Sequence, residues 1–250
     1  MKNHLQLNSE ARELRNLLGI TDDSPIDLFA LVQTLENVTM IMHPMSSMLS
    51  GICLKKSDQS FIVINSLLSY GRQRFTLAHE LYHLFFQQNT VTTVCLTDLS
   101  GKKSEEEKEA DIFASYVMIP YDALQVYAKK NFADEKININ QIVHLEQKYG
   151  MSRRALLWRL VNQGLLAKSD INEFSSGVIV SALRLGYDDS LYRPSDLSKQ
   201  YYTYGELVRK VIKLNELDLL SQSKFDEILL DAFRHDLVFG EIEEETEIYD

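Results

Sequence analysis

The sequence has few of the residues that mark secreted, membrane-spanning or fibrous proteins. Its 250 residues include 2 cysteines, 10 glycines and 4 prolines, too few for a disulfide framework or a repetitive chain. No stretch approaches roughly 18 apolar residues, and the N-terminus lacks the apolar segment of a secretion signal. We therefore expect a cytoplasmic protein with reduced thiols. Cys53 falls in a strand pattern and Cys95 in an apolar loop, and neither has the motif of a nucleophile.

The chain also lacks an excess of positive charge. Its 26 Lys and Arg residues are outnumbered by 36 Asp and Glu residues, which gives a formal net charge of −10. This balance disfavours nonspecific binding to nucleic acid, which needs cationic groups against the phosphates. Part of the acidity lies at the C-terminus, where EIEEETEIYD predicts a solvated, frayed tail.

The chain does contain 45% hydrophobic residues, enough for a core, in patterns of both strand and helix. Three β-rich runs at 38–42, 50–55 and 60–65 predict a small, mainly antiparallel sheet. Apolar residues at three- and four-residue spacing predict helices at 9–19, 27–35, 71–87, 104–118, 138–150 and 152–163. Two later amphipathic helices are predicted around 207–212 and 225–233. The expected fold class is α+β.

Titratable side chains interrupt an apolar helix pattern at residues 74–86, which read RFTLAHELYHLFF. His79 and His83 would lie about 40° apart around a helix and about 6 Å apart along it, so both can bind one ion. Zinc accepts imidazole and, in catalytic sites, needs a third protein ligand and a water molecule. Glu80 can deprotonate that water as a general base. The alternative is an ordinary core helix, in which a buried Glu80 carboxylate would be costly without a cation.

The third ligand is expected from a second helix, because the chain after His83 lacks the Gly and His that a metzincin would have. The stretch EEEKEADIFASYVMIP places Glu107 and Asp111 one helical turn apart on one face. In this arrangement Glu107 binds the ion, and Asp111 fixes the tautomer of a ligand histidine. Glu109 stays open as an alternative ligand.

In combination, the motifs RFTLAHELYH and EKEADIFASYVMIP resemble the ImmA/IrrE family of zinc metallopeptidases. The runs SFIVIN and GMSRRALLWRLVNQGLL also resemble that family, so the similarity covers most of the chain from about Phe61. The resemblance implies a gluzincin-like α+β fold of the HExxH class, with zinc bound by His79, His83 and Glu107 and with Glu80 as the catalytic base. It also implies a cytoplasmic regulator that cleaves a helix-turn-helix repressor and so relieves repression of transcription.

One position departs from the pattern of that family. Many members have Gly where this chain has Tyr82. A helix tolerates Tyr at least as well as Gly, so the metal site is not threatened. The ring is expected to narrow the cleft and to alter the choice of substrate.

The segment 136–168 is locally basic, with six Lys or Arg residues and one acidic residue. Its second predicted helix carries Arg153, Arg154 and Arg159, as a DNA-reading helix would. The same helix is also rich in apolar residues: Leu156, Leu157, Trp158 and Leu160. We therefore favour a helical pair packed on the preceding domain, with its arginines solvated or paired with acidic neighbours. A surface for a partner protein and direct DNA binding are the alternatives.

These patterns divide the chain into three predicted parts. They are a zinc metallopeptidase domain at 1–133, a helix-turn-helix-like pair packed on it at 134–168, and a helical C-terminal extension with an acidic tail at 169–250. The predicted function is zinc-dependent cleavage of a regulatory protein. Two other functions stay open: a non-catalytic zinc-containing regulator that binds or sequesters a repressor, and a regulator that binds DNA directly.

Overall fold

The computed structural model describes residues 2–20, 23–87, 92–96, 103–132 and 136–240. Within these ranges the protein is α+β, with one five-stranded mixed sheet and helices packed around it. The predicted fold class is therefore confirmed. The acidic tail, residues 241–250, lies outside the described residues.

Five strands form the sheet, and their ranges are β1 Val38–His43, β2 Leu49–Lys56, β3 Gln59–Asn65, β4 Thr92–Leu96 and β5 Tyr202–Gly205. Their order across the sheet is β4-β2-β3-β1-β5. The pairs β2–β3, β2–β4 and β1–β5 are antiparallel, whereas β1 and β3 are parallel. The prediction of a mainly antiparallel sheet is thus correct except for the β1–β3 pair, which makes the sheet mixed.

Two short strands at the edges of the sheet were not predicted. β4 lies where the sequence suggested an apolar loop, so that expectation for Cys95 is wrong: it is the register partner of Gly51 on β2. β5 reaches β1 from far along the chain, with Tyr204 opposite Met40. Such short strands are defined by pairing with distant residues, and their own sequences carry little alternation.

The helices of the described residues are α1 His4–Leu17, α2 Leu28–Gln33, α3 Tyr70–Phe85, α4 Glu105–Met118, α5 Tyr121–Asn131, α6 Ile139–Tyr149, α7 Arg153–Asn162, α8 Ile171–Phe174, α9 Val178–Arg184, α10 Glu206–Glu216, α11 Gln222–Asp231 and α12 His235–Phe239. α1 begins earlier than predicted because Asn3 and Gln6 form a capping box. α5 and α9 were not predicted. None of the described helices combines the length and hydropathy needed to cross a membrane.

α3 lies between the sheet and α4, and this position places the candidate site. Residues 76–83 of this helix are all buried, and Leu77 and Leu81 are fully covered. α4 packs beside it through small side chains, since Ala110 and Ala114 are also fully buried. Close approach of the two helices brings the polar residues of α3 within reach of the first turn of α4.

The predicted helical pair is present as α6 and α7, separated by Gly150 in the left-handed conformation. Two of the α7 arginines are internal. Arg153 forms a buried ion pair with Glu146. Arg159 donates to the carbonyl oxygen of Ile119, and its guanidinium lies 4.4 Å from the ring centre of Tyr116. α7 therefore packs against the preceding helix α4.

Candidate metal centre

Two imidazole rings of α3 converge on one point. The Nε2 atoms of His79 and His83 lie 3.1 Å apart, because one helical turn separates the two residues. Their side chains are 6% and 1% exposed. The predicted helical spacing thus brings both nitrogens together, as binding to one ion would require.

Glu107 completes a group of three potential ligands. Its Oε2 lies 3.3 Å from Nε2 of His79, and its Oε1 lies 3.3 Å from Nε2 of His83. The Oγ of Ser104 accepts from the Glu107 backbone N–H and so fixes the first turn of α4. Burial acts to raise the pKa of Glu107, but its contacts with both histidines lower it well below its usual range. The carboxylate is therefore available as an anionic ligand.

Both histidines are oriented through their outer nitrogens. Nδ1 of His79 lies 3.0 Å from Oδ1 of Asp111, and Lys103 donates to the other oxygen of that carboxylate at 2.6 Å. Nδ1 of His83 contacts Oε1 of Gln87. With Nδ1 donating in each ring, Nε2 offers its lone pair to the centre. The Asp111 contact is the one the sequence predicted, whereas the role of Gln87 was not predicted.

A fourth donor atom comes from β4. One ligand atom from each of His79, His83, Cys95 and Glu107 lies within 4.8 Å of the other three. The sulfur of Cys95 is 3.9 Å from Oε1 of Glu107, and the residue is 2% exposed. Burial raises the pKa of its thiol, although His79 acts in the opposite direction. Sequence reasoning missed Cys95, because no helical or motif spacing connects it to the histidines.

Glu80 is fully buried beside this group. Neither of its carboxylate oxygens has a hydrogen-bond partner among the described residues. Burial raises its pKa, and the nearby histidines oppose that shift. A buried carboxylate without a partner is costly, and so is the convergence of several electron-pair donors on one point. A bound cation would stabilise both features, and the imidazole and carboxylate donors suit zinc.

Glu109, the alternative third ligand, lies on another face of α4. Its Oε2 accepts from the hydroxyl of Tyr82 at 2.6 Å, and its Oε1 accepts from the backbone N–H of Lys2. The structure therefore brings Glu107, and not Glu109, to the histidines. The Tyr82 ring packs against Phe113 and Phe86 and is 2% exposed. The expectation that this ring narrows the cleft is wrong, because the ring is part of the core.

A cleft of about 630 Å³ leads away from the centre. His79, Cys95 and Asp111 are among its lining residues, and much of its wall comes from α3, α4, α7 and α9. Apolar side chains in the walls are Phe75, Ile112, Ala155, Trp158, Val178 and Ile179. Cationic side chains in the walls are Arg72, Lys108 and Arg154, together with Lys103 and Arg153, whose charges are paired with Asp111 and Glu146. The cleft can therefore take an extended segment with apolar and acidic groups.

Comparison with known proteins assigns the family. The model of a peptidase family, described as the IrrE N-terminal-like domain, matches residues 35–161, just over half of the chain. The matched range begins earlier than the resemblance described from the sequence and includes β1, β2, α3, β4 and α4. A search of curated proteins gives no significant match. The match covers more than half of the chain, and the structure contains a group of residues able to bind a metal. The chain therefore belongs to the ImmA/IrrE family, whose peptidases contain the IrrE N-terminal-like domain.

Proposed function

We propose that the protein is a zinc-dependent metalloendopeptidase that cleaves a regulatory protein. The observation that carries this proposal is the convergence of His79, His83 and Glu107 beside the unpartnered carboxylate of Glu80. An HExxH helix supplies these elements in metallopeptidases. Membership of a peptidase family supports the same reaction.

The ligands would be His79, His83 and Glu107, and bound zinc would supply Lewis acidity toward a peptide carbonyl and a lowered pKa of its water. Glu80 takes a proton from the attacking water onto its carboxylate and passes it to the nitrogen of the leaving amine. Asp111 holds the His79 ring in the tautomer that offers Nε2. The buried position of Glu80 keeps bulk solvent away from this transfer.

The substrate we propose is a helix-turn-helix repressor in the cytoplasm. The resemblance described from the sequence supports this class of partner. Both cysteines are free thiols, which is usual in a reducing compartment. The apolar and cationic lining of the cleft favours a segment that has an apolar side chain close to an acidic one.

The test is a substitution that removes the base and keeps the metal. Glu80→Gln should retain zinc, measured by elemental analysis, and should abolish cleavage of the repressor, measured by mass spectrometry. Glu106→Gln, a change of an exposed carboxylate at the start of α4, is the matched control and should cleave normally. Cleavage by the Glu80 variant at the wild-type rate would refute the proposal.

A second candidate function is a zinc-containing regulator that binds a repressor without cutting it. The position of Cys95 favours it, because a sulfur ligand can fill the coordination site that a catalytic water needs. The same pair of variants distinguishes the two functions. If the Glu80→Gln protein still relieves repression in cells, binding and not cleavage is the active function.

A further inference from the structure

We propose that the Cys95 thiolate is a fourth protein ligand of the metal, which keeps the centre closed until the sulfur is displaced. The proposal rests on the zinc site of the proposed function, but not on the occurrence of cleavage. It assigns a role to a side chain that the peptidase chemistry does not use. It also predicts that the resting protein is latent.

The distances between the donor atoms agree with a single four-coordinate ion. Metal–ligand bonds of about 2.0–2.3 Å in a tetrahedron separate neighbouring ligand atoms by about 3.3–3.8 Å. The observed separations are 3.1 Å between the histidine nitrogens and 3.3 Å from each of them to Glu107. The Cys95 sulfur is 3.9 Å from Oε1 of Glu107 and within 4.8 Å of the other donor atoms. The sulfur is therefore close enough to the other three donors to become a fourth ligand after a small adjustment.

The position of Cys95 is fixed by the sheet and not by a mobile side chain. Its Cα is paired with that of Gly51 across the β2–β4 ladder. Its carbonyl oxygen accepts from the hydroxyl of Ser50 at 3.0 Å. The thiol forms no disulfide and is 2% exposed. A buried thiol held against two imidazoles and a carboxylate has the donor chemistry of a closed zinc site.

Glu80 provides an independent observation at the same point. This side chain is 0% exposed, and both of its carboxylate oxygens are unpartnered among the described residues. A cation held by the neighbouring donor atoms would stabilise this buried carboxylate.

The exchange between the closed and open forms conserves protons. Cys95 would hold a bound metal as a thiolate, with the thiol proton passing to solvent. On opening, the released sulfur would take up a proton from solvent. The vacated position is then free for the water that Glu80 would deprotonate. Because Cys95 lines the cleft, a peptide bound there would be able to reach the sulfur.

The test replaces the metal with Co²⁺ and records the near-ultraviolet spectrum of the full chain. A thiolate ligand gives a sulfur-to-cobalt charge-transfer band, which should be present in the wild type and absent from Cys95→Ala. The matched control is Cys53→Ala, since Cys53 is the other buried cysteine, also 2% exposed. This control should keep the band. Because Cys95 is the only cysteine left in that variant, the band can then be assigned to Cys95.

Two further measurements follow from the loss of a ligand. Competition with a chelator should show that Cys95→Ala binds the metal more weakly than the wild type. Loss of a residue that supports a ligand weakens metal binding by about 10- to 100-fold, and loss of a ligand should cost at least as much. Peptide hydrolysis by the zinc form should increase relative to the wild type, because the fourth position is open. Cys53→Ala should match the wild type in both measurements.

The outcomes separate this inference from the proposed function. Absence of the band from the wild type and from Cys53→Ala overturns the inference, even if Cys95→Ala does not fold. Persistence of the band in folded Cys95→Ala also overturns it. If the band depends on Cys95 but neither the wild type nor any variant hydrolyses the repressor, the ligand assignment stands and the peptidase proposal fails.

Discussion

Gly51 of β2 faces Glu80 of α3 so closely that a Cβ at position 51 would lie 2.4 Å from Oε1 of Glu80. The same Cβ would lie 2.7 Å from Cγ2 of Thr76. Position 51 has no room for a side chain, and this explains the glycine, because the backbone there is not in the left-handed region. β2 therefore limits where the Glu80 carboxylate can lie.

Gly51→Ala should reduce hydrolysis with little loss of metal. The added methyl group must push the Glu80 carboxylate or α3 away, and a shift of about 1 Å in a reacting group can cost about 100-fold in rate. We expect a loss of that order in kcat, with zinc content near that of the wild type. Steady-state kinetics and elemental analysis on the same preparation check this. Wild-type kcat in the variant would show that the position of Glu80 is not limited by β2.

Asp111→Asn should weaken metal binding without unfolding the protein. The amide keeps the size of the side chain but removes the anionic acceptor that holds Nδ1 of His79. We expect the affinity to fall by about 10- to 100-fold, measured by competition with a chelator. Asp122→Asn is the control, since this exposed residue of α5 pairs with Arg12. Equal affinity in the two variants would contradict a role for Asp111 at the centre.

Arg153→Met should destabilise the fold strongly. Glu146 is 0% exposed and would be left buried without its cation, with Tyr192 as a remaining donor. Removal of one partner of a buried ion pair costs about 3–5 kcal/mol, measurable by urea unfolding. Lys224→Met is the control, because its pair with Glu227 is more than half exposed and should contribute about 0–1 kcal/mol. A small effect of Arg153→Met would mean that the pair is not isolated from water.

Trp158→Ala should weaken substrate binding more than the chemical step. The indole forms part of the cleft wall and is 39% exposed in the free protein, so a peptide can cover it further. Loss of an aromatic contact of about 1.5 kcal/mol raises KM about 10-fold. Leu197→Ala, an 84% exposed apolar residue that does not line the cleft, should leave KM unchanged. An unchanged KM in the Trp158 variant would exclude this wall from substrate binding.

The local part of the candidate site could be predicted from the sequence. The spacing of His79 and His83, and of Glu107 and Asp111, is set by the helical repeat, so each pair shares a face wherever its helix lies. The choice between Glu107 and Glu109 required the packing of α4 on α3. That packing turns Glu109 toward Tyr82 instead.

The non-local part could not be predicted. Cys95 and Gly51 reach the centre through the pairing of β4 with β2, and strand pairing depends on distant partners more than on local sequence. The approach of Gly51 to Glu80 also depends on the register of β2 against α3. β5 was missed for the same reason, because four residues become a strand only beside β1.

The contacts of α9 have a consequence for how this protein could diverge. Val178 and Ile179 line the cleft but lie beyond residues 35–161, the range matched by the family model. Arg153 binds this region to α7 through the carbonyl oxygen of Phe174 and the hydroxyl of Ser181. The residues that would break the peptide bond and some of those that would choose it are therefore encoded in separate stretches. Substitutions in α9 alone could change which substrates bind, without changing the residues that would hydrolyse the peptide bond.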